Sequence, residues 1–299
     1  MTGIRMPIQA RIAHLLMLLA GLLLLSGATS AHERDRSGIR AMTYNIRLDL
    51  ASDGANAWPH RRAMVAALIR HEAPDLLGMQ EVLIGQKRDL EQALPEYAMV
   101  GVARDDGKER GEFSPLAYRS DRFALIDSGT FWLSETPATP GKGWDAAYPR
   151  IASWAILRDR TGSRTIRVVN THFDHVGVVA KRESAALLSR WLRQGSRARL
   201  PTILLGDLNS TPDDPGYQLL AAEASGLRDA RLASRTPPYG PPGTFNAFNI
   251  DSNAPSPIDH IFVSGGFMVN RYSVITQHWG GRLPSDHYPV VVALSLNRQ

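Results

Sequence analysis

The sequence predicts a single large α/β sandwich domain. Short β-rich runs alternate with amphipathic helical stretches from Ile39 to the C terminus. The 299 residues are 43% hydrophobic and 21% charged, enough to bury a full core and unlike a disordered, collagenous or coiled-coil chain. No linker, low-complexity tract or repeat of solenoid period divides the chain.

Residues 1–31 come first and read as a secretory signal. Arg5 and Arg11 supply its positive start, and Leu15–Leu25 is nearly continuous Leu, Met, Ala and Gly. Ser26-Gly27-Ala28-Thr29-Ser30-Ala31 follows, with cleavage expected after Ala31. The uncharged stretch from Ile12 to Gly27 falls short of the ~20 apolar residues that span a bilayer. The expectation is therefore a secreted or periplasmic domain over 32–299, without stable membrane insertion and monomeric.

Within that domain, strand-like runs are expected at Arg40–Asn45, Leu76–Gln80, Leu116–Arg119, Ser153–Arg158, Thr165–His172, Thr202–Leu205, Pro257–Val263 and Tyr288–Leu294. Arg61–His71 has apolar positions Met64, Val65, Leu68 and Ile69, and Val178–Gln194 has Leu187, Leu188, Trp191 and Leu192, each set at helical spacing. Pro74 and Gly195 are the expected helix stops. Loops rich in Gly, Pro, Asp and Asn occupy Thr136–Pro149 and Thr236–Pro257. The second is long for a compact domain, and such loops are often functional.

Composition removes several chemistries. With no cysteine, the chain cannot be a disulfide scaffold, an iron–sulfur protein, a thiolate zinc protein or a thiol hydrolase. The formal charge of +5 is weak evidence for nucleic acid. Removing Arg5 and Arg11 with the signal leaves 32 basic against 29 acidic residues, with no block of like charges.

The chemistry concentrates where strand-like runs end. Met42-Thr43-Tyr44 leads to Asn45, Leu76–Gln80 to Glu81, and Arg167–Thr171 to His172, Asp174 and His175. Ile203–Gly206 leads to Asp207 and Asn209, Ile258 to Asp259-His260, and Ser285 to Asp286-His287. One such Asp or Asn usually satisfies a turn. Six coincidences place carboxylates, carboxamides and imidazoles on segments anchored in a core, as a hydrolytic site requires. There is no His-Glu-x-x-His pair, no Gly-x-Ser-x-Gly elbow and no phosphate loop. Oxygen donors dominate, which suits Mg²⁺ or Mn²⁺ and leaves the histidines for acid–base work or phosphate contact. Metal-assisted phosphoester hydrolysis is the leading class.

These segments, in this order, resemble the endonuclease/exonuclease/phosphatase superfamily across nearly all of 39–294. The matching segments are Met42–Arg47, Gly78–Glu81, Asn170–His175, Gly206–Pro212, Pro257–Phe262 and Ser285–Val290. The resemblance implies a four-layer fold, two stacked mixed β-sheets flanked by helices, with the site at the rim. It also implies roles. Glu81 would hold the divalent ion, with Asn45 and Asp286 close by. Asp207 would orient or deprotonate the attacking water, and Asn209 would contact the phosphate. His287, oriented by Asp259, would sit on the scissile phosphate with His172 across from it. Gly111–Arg119 resembles a stretch of pancreatic deoxyribonuclease, which would make Glu112 and His172 a second acid–His pair. The Asn-Thr-His start is similar to the carbon-catabolite-repressor-type deadenylase branch and its secreted bacterial relatives. Arg47 departs from the pattern, standing where apurinic endonucleases of the superfamily carry an acidic residue.

Arg150 is a candidate phosphate clamp, and Trp144 and Tyr148 are candidate stacking residues. Asp174 and His175 would either contact substrate or cap the helix that follows them. The expected function is a nuclease-type phosphodiesterase acting on nucleic acid or a small or lipid phosphodiester. Its rivals are a phosphatase, a head-group phosphodiesterase of sphingomyelinase or inositol-phosphatase type, and an inactive binding protein.

Overall fold

The computed structural model describes residues 38–297, so the expected secretory segment lies outside the described residues. Two six-stranded mixed sheets form its centre. The first contains β1 (Gly38–Asn45), β2 (Leu76–Gln80), β3 (Tyr97–Val100), β4 (Leu116–Arg119), β11 (Phe267–Val274) and β12 (Val290–Leu296), in the order β11-β12-β1-β2-β4-β3. The second contains β5 (Phe123–Trp132), β6 (Ile151–Asp159), β7 (Thr165–His172), β8 (Thr202–Asp207), β9 (Leu227–Asp229) and β10 (Asp259–Ser264), in the order β5-β6-β7-β8-β10-β9.

Strand alternation sorts the side chains into layers. Ile39 and Ala41 of β1, Leu76 of β2, Val168 of β7, Ile203 and Leu205 of β8 and Ile261 of β10 pack between the sheets. Met42, Tyr44, Leu77 and Met79 point the other way, against Val65, Leu68 and Ile69 of α1 (Trp58–Glu72) and Leu90 of α2 (Ile84–Ala93). On the second sheet, Val169, Leu204 and Phe262 pack with Ala185, Leu188 and Leu192 of α3 (Val178–Leu192) and Leu220 of α4 (Pro215–Ala221). The result is helix, sheet, sheet, helix, the four-layer sandwich expected.

The eight expected strands are the eight interior strands, with ends shifted by a few residues. The strands without a sequence signal are β3, β5, β9 and β11, the four edges of the two sheets. Edge strands are partly solvated and alternate weakly; Ala124–Thr130 of β5 holds no buried residue. α1 ends as Pro74 predicts: Ala73 turns left-handed (φ 44°) and its N–H closes on Ile69 O. α3 stops at Leu192, short of Gln194.

Candidate active site

The alternation that builds the inter-sheet core also builds the site. Asn45, Gln80, Asn170, His172, Asp207 and Asp259 have the same parity as the inter-sheet apolar residues of their strands, so they extend that layer to the sandwich rim. Register brings them level: Asn45 pairs with Gln80, His172 with Asp207, and Asp207 with Asp259. The apolar layer changes to polar at this edge.

A buried clamp sets the separation of the sheets there. Asn170 Nδ2 donates to Met79 O (2.7 Å) and Pro115 O (2.9 Å), and its Oδ1 accepts from Gln80 Nε2 (2.6 Å). Gly78 lies directly opposite. A Cβ at Gly78 would fall 2.5 Å from Asn170 Oδ1, so only glycine lets the sheets approach this closely.

Asp207 is the hub. Its Oδ1 accepts the Asn209 N–H (2.8 Å), and its Oδ2 accepts from Asn45 Nδ2 (3.0 Å). Oδ2 also faces His172 Nε2 at 3.5 Å and His287 Nε2 at 3.8 Å. Burial, and then the neighbouring Asp259 charge, push the Asp207 carboxyl up to about 7. His287 Nδ1 is bonded to Asp259 Oδ2 at 2.8 Å. Burial works against the His287 imidazolium, but Asp259, Asp207 and Asp286 outweigh it and hold its pKa well above the ordinary value. His172 behaves oppositely: burial and then the Arg150 and Arg104 charges keep it well below that value, hence neutral. Two imidazoles facing one carboxylate thus have their pKa values pushed in opposite directions, as acid–base sites require. Phe245, from the long loop 236–257, packs edge-on against His287 (ring centroids 5.1 Å).

Glu81, Asn45 and Asp286 form the other half. Glu81 follows β2 with a left-handed backbone (φ 61°), an unfavourable geometry for a non-glycine residue that aims its carboxylate into the rim. Its Oε1 accepts from Asn45 Nδ2 (3.0 Å) and its Oε2 from the Leu48 N–H (3.1 Å). Arg47 approaches Glu81 at 4.0 Å and Asp286 at 3.8 Å while pairing with Asp53 at 3.0 Å. Burial raises the Asp286 carboxyl. Asp207, Asp259 and His287 also place one ligand atom each within 4.8 Å of one another, a possible cation site. Because Asp259 and His287 already share a hydrogen bond there, the carboxylates Glu81 and Asp286, both beside Arg47, suit a hard divalent ion better.

Several residues sit differently from expectation. Asn45 accepts the Arg47 N–H at its Oδ1 (3.0 Å) and offers NH₂ to both carboxylates, and so links Glu81 to Asp207. Asn209 gives both amide hydrogens to protein, to His172 Nε2 (3.0 Å) and Phe173 O (3.1 Å), and orients the imidazole instead of reaching outward. This leaves the His172 proton on Nδ1. Glu112 Oε2 lies 3.8 Å from that nitrogen and is bonded to Arg104 Nη1 at 2.7 Å, so the second acid–His pair is looser than the first. Asp174 is 1% exposed, and its carboxylate accepts from Val176, Gly177, Ala147 and Tyr148 N–H groups and from Arg150 Nε. These bonds hold it at about 2 against the opposing effect of burial, and they fasten the 147–150 segment to the start of α3. Asp174 does not cap α3: the Val179 and Ala180 N–H groups of its first turn go to Asp145, and Asp174 holds the turn that precedes the helix. His175 Nδ1 meets Arg150 Nη2 (3.1 Å), and its ring lies near-parallel to Tyr148 (centroids 6.1 Å). Trp144 is half-buried with its N–H held by Glu135, and no hydrogen bond ties it to the converging groups. Arg104 and Arg61 carry no sequence signal; both are recognisable only by their buried neighbours.

The family model for the Endonuclease/Exonuclease/phosphatase family matches residues 42–287, from the first motif to His287. The chain belongs to this family. Its enzymes are hydrolases of phosphate esters and commonly use divalent metals. A family protein from Bacteroides thetaiotaomicron is 38% identical, with a TM-score of 0.84 over 87% of this chain and 98% of the other. A mannosyl-6-phosphatase from the same organism is also 38% identical, with a TM-score of 0.83 over 86% of this chain and 100% of the other. The human Nocturnin catalytic domain shares the fold (21% identity, TM-score 0.67, 88% and 96% coverage). Two uncharacterized proteins of Acanthamoeba polyphaga mimivirus match at 24% and 28% identity, over 71% and 51% of this chain; it spans only 36% and 59% of their lengths. Among the described residues of this family member, no helix is long and apolar enough to cross a membrane.

Proposed function

We propose that the protein is a divalent-metal-dependent phosphatase that releases phosphate from a small phosphorylated sugar, acting after export. The observation that carries this reading is the 38% identity to a mannosyl-6-phosphatase along that chain's entire length. It is supported by an acid–base centre in which Asp207 and His287 face each other at 3.8 Å, each with its pKa raised. The reading replaces the nuclease-type diesterase that sequence motifs alone favour.

A divalent ion bound beside Glu81 and Asp286 would neutralise phosphoryl oxygens. Asp207 takes a proton from the attacking water, whose oxygen bonds to phosphorus as the ester P–O bond breaks; the sugar oxygen leaves as the alcohol, taking a proton from solvent water. His287, charged and fixed through Nδ1 by Asp259, presents Nε2–H to the charge building on the phosphoryl group. Asn45 keeps Glu81 and Asp207 in place, and Asn209 fixes the His172 ring.

The test is phosphate release by residues 32–299 with Mg²⁺, Mn²⁺ or EDTA. Mannose 6-phosphate, p-nitrophenyl phosphate, bis(p-nitrophenyl) phosphate and single-stranded DNA serve as substrates, with His287→Ala as control. Metal-dependent release from the monoesters, lost in the control, is expected. Cleavage of diester or DNA with intact monoesters overturns the reading.

A further inference from the structure

On the Nδ1 side of His172, two buried arginines from separate segments bear on the imidazole through their charges. Arg104 lies in the loop after β3 and Arg150 just before β6, and they are 9% and 4% exposed. Each has one nitrogen without an acceptor, Arg104 Nε and Arg150 Nη1, and the His172 Nδ1 is a third. Buried donors of this kind are nearly always paired in a folded protein. The three belong to one cluster: Arg104 and His172 both face Glu112, and the Arg104 and Arg150 charges both bear on His172.

Three carboxylates face the two guanidinium groups, yet none comes within hydrogen-bond distance of Arg104 Nε or Arg150 Nη1; Asp105 Oδ1 stands 3.8 Å from Arg104 Nε. Glu112 is committed to Arg104 through a 2.7 Å bond. Asp174 meets Arg150 Nε at 3.3 Å but already accepts from four backbone N–H groups. Tyr148 lies over the Arg104 guanidinium (5.0 Å) and alongside the His175 ring, roofing the cluster with aromatic surface.

A phosphomonoester differs from a diester in two ways that such a wall can read. It carries about one more negative charge near neutral pH, and it has a third terminal oxygen where a diester carries a second carbon arm. We propose that Arg104 and Arg150 form the subsite for the terminal oxygens of a phosphomonoester dianion and exclude the second arm of a diester. The subsite sits beside the Asp207–His287 centre. This inference rests on the phosphatase reading above and adds the residues that set monoester over diester.

Arg150→Met and Arg104→Met, each checked by circular dichroism and melting temperature, test it. In each variant kcat/KM is measured for p-nitrophenyl phosphate and bis(p-nitrophenyl) phosphate, and inorganic phosphate binding to the Mg²⁺-loaded protein is measured by calorimetry. Loss of a charged hydrogen-bond donor predicts a fall of roughly 10- to 100-fold for the monoester and a similar weakening of phosphate binding. Diester turnover should fall less than monoester turnover, so the monoester preference narrows. Equal loss on both esters, or unchanged phosphate affinity, overturns the inference. Should Arg150→Met fail to fold, Arg104→Met decides alone. A wild type that prefers diesters would refute the phosphatase reading instead, and calorimetry would still report whether the two arginines bind phosphate.

Discussion

Arg61 offers the sharpest test of how packing supports the site. It is 1% exposed, in the first turn of α1, and its guanidinium donates to five backbone carbonyls: Asn56 O (2.7 Å), Arg47 O (2.7 Å), Leu48 O (3.3 Å), Pro284 O (3.2 Å) and Ile46 O. It also lies over the rings of Trp58 (5.2 Å) and Phe248 (5.7 Å). One side chain thus joins the segment after Asn45 to the segment before Asp286, and both carry the metal-side groups. In Arg61→Met the aliphatic stem is kept. The Ile46 and Pro284 carbonyls, whose bonds are fully buried, lose their donor. At ~1–3 kcal/mol for each unsatisfied group and ~0.5–2 kcal/mol for the ring contacts, less the relief of desolvating the charge, the net cost is about 4 kcal/mol. For a domain of this size that lowers Tm by roughly 8–16 °C. Thermal melts by circular dichroism in EDTA measure it, and repeating them with Mg²⁺ should give a smaller metal-induced rise than in wild type. Arg61→Lys, with three donors and no planar fork, should fall between. A Tm drop below about 3 °C for Arg61→Met would show that the carbonyls are satisfied some other way and refute the reasoning.

Three further outcomes are expected. Because the folded-state pKa of Asp207 is raised to about 7, its contribution to stability is present below the ordinary carboxylate range and is lost as pH rises through about 7. In EDTA, Asp207→Asn should therefore melt higher than wild type at pH 8 and about equally at pH 4, while turnover falls at least ~10²-fold; a lower melting temperature at pH 8 would contradict this. Asp259→Asn removes the partner that holds the His287 proton, so the alkaline limb of the pH–rate profile should move to lower pH; a fixed limb would contradict the assignment. Glu112→Gln, acting across 3.8 Å, should leave that limb unmoved. Gly78→Ala should destabilise by about 1–3 kcal/mol, read by urea denaturation, since its Cβ would meet Asn170 Oδ1 at 2.5 Å and Leu205 Cβ at 3.0 Å; unchanged stability would mean that the sheets are not clamped at that point.

The parts of the fold legible from the amino acids are those buried from both faces. Interior strands such as Leu76–Gln80, Thr165–His172 and Thr202–Asp207 are apolar on both sides because a helix layer covers one face and the other sheet covers the second. Their runs therefore stand out, and so do the polar residues that end them. That is why Glu81, His172, Asp207, Asp259 and His287 could be named together. The edges β3, β5, β9 and β11 left no such trace, because half-solvated strands obey weaker constraints.

Which side-chain atom meets which partner depended on groups distant in the chain. Asn45, Asn209 and Asp174 look alike as site residues in a motif, yet they bond to Arg47, Phe173 and the 147–150 segment. His172 and His287 are the same residue type at comparable strand ends. One is neutral beside two arginines, and the other is charged against three carboxylates. Arg104 joins the site from a loop with no local pattern at all. Local sequence specifies periodicity, burial and the identity of the reactive groups; protonation, hydrogen-bond allocation and the pairing of Arg104 with Glu112 beside His172 arise only when the two sheets close on each other and water leaves the space between them.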